Sequence, residues 1–274
     1  MWGAALIVFR EVFEIAIILC VVLAATKGVK DRNKYIGIGI FGGSIAACLF
    51  ALFTEAVSIA SGETGKMYFN AAILIAATSM IVWTVIWMKH HGRTIVSQMK
   101  SVGQSIVAGE KPLYILSTVI GLAVMREGSE IVVFLYGLMA AGQTSTLMLL
   151  LGSLLGLGMG VGFGLFMYFG LLRISVKHTF QMTSLMLTFI AAGMAANAAG
   201  KLVKTGLLPT LVNSLWNTSA ILPQHSVLGR FLFILVGYQE NPNGMQALFY
   251  VATLAIIFYA GKRLSRTQIA AVNA

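Results

Sequence analysis

Apolar runs of eighteen residues or more recur down this chain, and each is long enough to cross a hydrocarbon core about 30 Å thick. That feature leaves few folds open. Backbone polar groups in lipid must find partners within their own segment, so the runs are expected to be membrane-spanning helices. The composition agrees, with 58% of the 274 residues hydrophobic and only 10% charged, far from an average soluble domain. The expected fold class is all-α: a polytopic membrane protein of about seven transmembrane helices in a single domain, 1–274. Spans are placed at about 3–26, 35–60, 68–88, 113–140, 146–172, 180–200 and 245–262. The first starts at residue 2 and has no small-residue cleavage site, so it is read as a retained span and not a signal peptide.

A net charge of +10 would suggest nucleic acid in a soluble protein. Here the cations fall between spans, where they set orientation, and no nucleic-acid partner is expected. Thirteen Lys and Arg lie in the regions around 27–34, 89–111, 173–177 and 262–266, against four at Lys66, Lys201, Lys204 and Arg230. By the positive-inside rule the rich side is cytoplasmic. This puts the N-terminus outside and the C-terminus inside the cytoplasmic (inner) membrane. Cys20 and Cys48 lie in apolar runs without metal or redox spacing and read as packing residues.

Charge within the spans is rare and concentrated. Nine acidic residues occur in the whole chain. Four of them form two R-E-x-x-E pentads, Arg10-Glu11-Val12-Phe13-Glu14 in the first span and Arg126-Glu127-Gly128-Ser129-Glu130 in the fourth. At 100° per residue, Glu11 and Glu14 stand about 100° and 40° round the helix from Arg10, so all three share one side. Glu127 and Glu130 repeat that arc from Arg126. Six such groups left unpaired at mid-membrane would cost roughly 15–20 kcal/mol, so they must face one another or water. With all ionised the set carries about −2, whereas a structural salt-bridge cluster would be expected to balance. The excess calls for a cation or for protons, and oxygen donors without thiolate or imidazole favour hard cations.

The pentads also mark an internal repeat, about 3–88 and about 113–200, with the outer segment 201–244 and a last span at 245–262 to follow. Three spans per repeat make the two halves enter the membrane in opposite senses, the inverted-repeat pattern of secondary transporters. The second and fifth spans carry small-residue rows, Gly39 and Gly43 on one and Gly152, Gly156, Gly160 and Gly164 on the other. Such rows are read as close helix packing. In the outer segment, residues 228–236 are expected to form a short re-entrant or interfacial helix. Glu55 at the outer end of the second span, and Glu63 and Glu240 in outer loops, could form an acidic approach to the centre with His225. Each of the four is explained as well by a solvated loop group or a hydrogen-bonded structural residue. His90 and His91 read as solvated. No histidine falls at the centre of a span, which argues against a haem-binding or oxidoreductase subunit. An enzyme is not expected, nor is a prosthetic group.

The paired intramembrane motifs resemble those of the iron permease family, the oxidase-dependent ferric iron transporters of fungi and their bacterial EfeU-type relatives. The likeness extends over nearly the whole chain. It includes Arg126-Glu127-Gly128 with Glu130, the run from Thr183-Ser184-Leu185 to Ala191-Ala192-Gly193, His225-Ser226, and Gly237-Tyr238-Gln239-Glu240 with Pro242. The resemblance implies a high-affinity permease for ferric or ferrous iron, whose metal-binding residues are Glu11, Glu14, Glu127 and Glu130, with Arg10 and Arg126 supporting them. It also implies iron as transported substrate and extracytoplasmic iron-binding or oxidase proteins as partners. Two departures stand out. Val12-Phe13 replaces the usual Gly-Leu, which predicts a looser helix contact there. Asn70 stands near where relatives often carry an acid, which predicts a weaker site on the approach. The alternative function is a proton-coupled carrier of another divalent metal or a cationic solute.

Overall fold

The computed structural model describes the main chain of residues 1–60, 62–141, 145–169 and 176–272. Among these residues the chain is helical, without strands. The elements are α1 (Trp2–Ala25), α2 (Arg32–Ala60), α3 (Gly62–Val107), α4 (Tyr114–Ala140), α5 (Thr146–Tyr168), α6 (Val176–Lys204), α7 (Val227–Val236) and α8 (Gly244–Val272). Among the described residues, five stretches are long and apolar enough to cross a membrane: Arg32–Ala60, Tyr68–Trp87, Thr146–Tyr168, Met182–Lys204 and Gly244–Lys262. The remaining long helices, α1 and α4, run for 24 and 27 residues and each interrupts its apolar sequence with one charged pentad. Large apolar side chains such as Phe41, Leu52, Leu154 and Phe258 point outward, as a surface bathed in lipid requires. The chain is an all-helical membrane protein.

α1 packs along α5, and α2 along α4. The glycine rows explain how closely. A Cβ on Gly43 would stand 2.6 Å from Gly121 O and 2.7 Å from Val124 Cβ. A Cβ on Gly156 would collide with Ala5 O, Phe9 N and Val8 Cβ. These are equivalent atoms: Gly156 lies 113 residues after Gly43, and each α1 partner lies 116 residues before its α4 counterpart. Gly39 meets Ser117 O and Ile120 Cβ, and Gly152 likewise meets Met1 O and Ala4 Cβ. The two interfaces are built alike, each on a row of small residues that lets backbones touch.

The pentads sit in these interfaces. In α4, Gly128 is small because Ala47 Cβ lies 2.6 Å from where its own Cβ would be. In α1 the corresponding position is Val12, and there the partner is Gly160, with Val12 Cβ at 2.8 Å from the missing Cβ. The bulk has changed sides and the approach stays close, so the looser contact expected from Val12-Phe13 is not found. Phe13 is buried and meets the Phe163 ring edge-on, with centroids 5.2 Å apart.

α3 departs from expectation. The span placed at 68–88 belongs to a 46-residue helix that takes in the first outer loop and most of the basic region after it. Nothing between residues 89 and 107 forbids a helix: there is no proline, and Lys, Gln and Met are good helix formers. The stop comes at Gly109, which adopts φ 76°, with Pro112 just beyond. Met99, Val102 and Ile106 at its far end pack with Val22 of α1, Ile36 of α2 and Leu116 and Ile120 of α4. α6 and α8 also run past their expected ends. The end of the fifth span, 170–172, and Arg173 lie outside the described residues.

α7 confirms the short helix in the outer segment and fixes how it lies. Ser226 caps its start by accepting from Gly229 N at 3.0 Å, and Gly237 ends it in the left-handed conformation. A Cβ on Gly193 would stand 2.6 Å from Gly237 Cα. Gly193 is at the middle of Met182–Lys204, so α7 dips to about half the depth of α6 before the chain returns through Tyr238 and Gln239. The Tyr250 hydroxyl donates to Val236 O at 2.6 Å and holds the dipped end in place. The end of α7 thus lies against the middle of α6 and not at its terminus.

Candidate functional site

Two apolar clusters bracket the pentads. On one side Ala4 and Ile7 of α1 join Val133, Phe134 and Leu138 of α4. On the other, Val22 of α1 joins Leu116, Ile120 and Val124 of α4. The charged groups form a layer between them.

Within that layer α1 and α4 bring the two motifs face to face. Arg10, Glu11, Glu14, Glu127 and Glu130 are all buried. Arg10 Nη1 donates to Glu11 Oε1 at 2.9 Å. Its Nη2 lies 2.7 Å from Glu14 Oε1, an ion pair without the alignment of a hydrogen bond. Glu11, Glu14 and Glu127 each turn a carboxylate oxygen into one spot, with those atoms all within 4.8 Å of one another. Glu11 Oε2 and Glu127 Oε2 are buried without a hydrogen-bond partner. Leaving carboxylate oxygens bare in so dry a place is costly. Among the described residues this is the one trio of acidic, histidine or cysteine groups arranged to hold a metal.

The fourth glutamate is held elsewhere. Glu130 Oε1 accepts from Arg126 Nε at 3.2 Å, and Glu130 Oε2 accepts from the Thr84 hydroxyl at 3.3 Å. The Arg126 guanidinium lies over the Trp87 ring, 5.1 Å from its centroid, a favourable cation–π distance. It keeps 3.8 Å from Glu127. The two arginines hold the same place in matching motifs but differ in environment: the Arg10 side chain is 1% exposed and that of Arg126 is 42%. Arg126 and Glu130 border a cavity of about 590 Å³ whose other wall is Ser79, Trp83, Thr84 and Trp87 of α3.

Charge can now be placed. Arg126 and Glu130 balance each other, so with every group ionised the excess of about two negative charges belongs to Glu11, Glu14 and Glu127 around Arg10. A hard ion with metal–oxygen bonds of about 2.1 Å holds opposed oxygens roughly 4.2 Å apart. The trio therefore needs only small side-chain rotations to close on one.

The outer groups are more scattered. Glu55 is exposed on α2, near Tyr136 of α4. Glu63 is in the first turn of α3 and not in a loop, and its side chain lies outside the described residues, as do those of His90 and His91. Asn70 is half-buried on α3, and His225 is exposed ahead of α7. Glu240 does stand in a loop, where its Oε2 accepts from the Gln224 backbone amide at 2.7 Å. It thereby ties the chain before α7 to the chain after it. Thr84 and Trp87 were not singled out from sequence. The available signal was a hydroxyl and an indole four residues or fewer from the end of an apolar span, which is weak.

Three buried carboxylates converging at the centre of a helical membrane protein are a candidate cation site. Residues 1–266 match the Iron permease FTR1 family, and the chain belongs to that family. It is 30% identical over 242 residues to the ferrous iron permease EfeU of Escherichia coli (strain UTI89 / UPEC) and of Shigella sonnei (strain Ss046), covering 87% of each chain. With the ferrous iron permease EfeU of Yersinia pestis it shares 27% identity over 276 residues, 98% of this chain and 97% of the relative. No solved structure matches.

Proposed function

We propose that this protein carries iron across the cytoplasmic membrane into the cell, and that Glu11, Glu14, Glu127 and Glu130 bind the ion on its way. One observation carries the reading: three buried carboxylates converge within 4.8 Å around a single buried guanidinium, inside a chain of the iron permease family. Arg10 orients two of the carboxylates and offsets part of their charge, which keeps binding weak enough for release. The paired interfaces, matched atom for atom between α1–α5 and α4–α2, support two inverted three-helix repeats with α8 added. In that arrangement the N-terminus is outside, the C-terminus is cytoplasmic, and the apolar clusters on either side of the charged layer act as alternating seals. Glu55, Glu63, Asn70, His225 and Glu240 lie on the outer approach, where an iron-binding or oxidase protein delivers the ion.

The test is radioiron uptake into proteoliposomes, run with ferrous and ferric iron, for the parent and for a Glu127→Gln/Glu130→Gln variant that reconstitutes equally. Uptake by the parent and its loss in the variant are expected. Parental rates in the variant would remove these residues from the path. An all-carboxylate slot does not by itself distinguish iron from other hard cations. Manganese competing as well as iron would favour the broader reading of a divalent-metal carrier.

A further inference from the structure

The proposed function treats the four glutamates alike, but the structure does not. Three face the slot, while Glu130 is drawn toward the cavity between α3 and α4 by Thr84 and Arg126. The cavity has a definite place along the membrane. Its α3 wall runs from Ser79 to Trp87, the second half of the span Tyr68–Trp87, which ends on the side of the basic regions. α3 also takes a longer course than α4 below this level. From Thr84, bonded to Glu130, to Ile106, which packs with Leu116 and Ile120, α3 uses 22 residues where α4 uses 10 to 14. At 1.5 Å per residue that is about 33 Å against roughly 15–21 Å. α3 must lean away from α4 in between, and Trp87, at one edge of the cavity, stands where that divergence begins.

We infer that the α3–α4 cavity is the vestibule through which the ion leaves the slot toward the cytoplasm, that Glu130 is the ligand handing it across, and that Thr84 positions Glu130 for this. This rests on the transport reading above. The buried Arg10 closes the slot on one side. Arg126, parked on the face of Trp87 and half in the cavity, is the charge beside the exit. When an ion enters the slot its positive charge repels Arg126, and the guanidinium can swing into the cavity without losing the indole. Glu130 is then freed of one partner and can turn toward the ion, still anchored through the Thr84 hydroxyl. Trp83 and Trp87 form the apolar part of the wall and leave the polar groups Ser79, Thr84, Arg126 and Glu130 to wet the passage.

Two measurements decide it. The first needs no iron. In a Cys20→Ala/Cys48→Ala background, Ser79→Cys is treated with a charged, membrane-impermeant methanethiosulfonate in right-side-out and inside-out vesicles. A water-filled vestibule on the inner side predicts modification at least about tenfold faster from the cytoplasmic face. Equal slow reaction from both faces, as for a lipid-filled crevice, or faster reaction from outside, overturns the inference. The second separates Thr84 from a merely structural role. Thr84→Val is expected to keep equilibrium radioiron binding to the purified protein while slowing uptake about tenfold, the worth of one hydrogen bond to a charged group. Thr84→Ser should restore the rate. Parental uptake in Thr84→Val, or loss of binding together with uptake, contradicts the division between slot and relay. If the parent neither binds nor moves iron, the transport reading fails, and the thiol labelling still reports on the vestibule.

Discussion

Replacing each arginine by methionine should have unequal consequences, although the two pentads match at every charged position. Arg10 is sealed in the protein and touches two carboxylates at 2.9 and 2.7 Å. Its removal leaves those carboxylates beside Glu127 without a counter-ion. Breaking a buried pair by deleting one partner costs about 3–5 kcal/mol. Arg126 has longer contacts, 3.2 and 3.8 Å, and a side chain 42% exposed. Its loss should cost about 1 kcal/mol, near the upper end for accessible pairs. At about 2–4 °C per kcal/mol for a chain of this size, Arg10→Met lowers the midpoint of thermal unfolding by roughly 10 °C and Arg126→Met by a few degrees. The assay is loss of monodisperse protein on size exclusion after heating in detergent. Adding Glu14→Gln to Arg10→Met removes one of the stranded charges and should recover part of the loss. Equal losses from the two arginine variants, or further loss on adding Glu14→Gln, would refute the assignment of the excess charge to the Arg10 side.

Three further outcomes are expected. Gly156→Leu drives a side chain into the backbone of α1, whereas a Cβ on Gly158 meets nothing within 4 Å; folded yield should fall sharply for the first and hardly change for Gly158→Leu. Glu240→Gln keeps an oxygen for the Gln224 amide and should preserve thermal stability, while Glu240→Ala lowers it by about 1–3 kcal/mol; a loss of uptake in Glu240→Gln at unchanged stability would show that the charge itself serves the approach. Tyr250→Phe deletes the hydrogen bond to Val236 O and should speed proteolysis within 227–243, so equal cleavage would mean that the glycine contact alone holds α7.

What could be read from sequence was what depends on few residues at a time. Apolar length located the helices, and the concentration of acids into two pentads located the centre, because charge in a span is too costly to be incidental. The small-residue rows were legible as packing surfaces, since small side chains let backbones approach closely. The length of α3 was not. Basic residues after a span look like a loop when orientation is in mind, yet no local signal ended the helix before Gly109. Nor could sequence divide the four glutamates. That division depends on Thr84 and Trp87, which are distant in the chain and ordinary in kind.

The same pentad acquires two characters because its neighbours differ. α1 lies in the middle of the bundle, packed on α3, α4, α5, α6 and α7, and Arg10 has nowhere to point except at its own glutamates. α4 packs on α1, α2 and α3 and leaves one side of its pentad against the cavity, where Arg126 finds an aromatic face instead of a second carboxylate. A fully symmetric site would hold its cation equally on both sides and give it no preferred way out. With one arginine sealed and the other loosened, the α1 carboxylates are held by a buried guanidinium while Glu130 of α4 borders an open space. The repeat supplies the candidate ligands, and the break in the repeat gives the site two unlike sides.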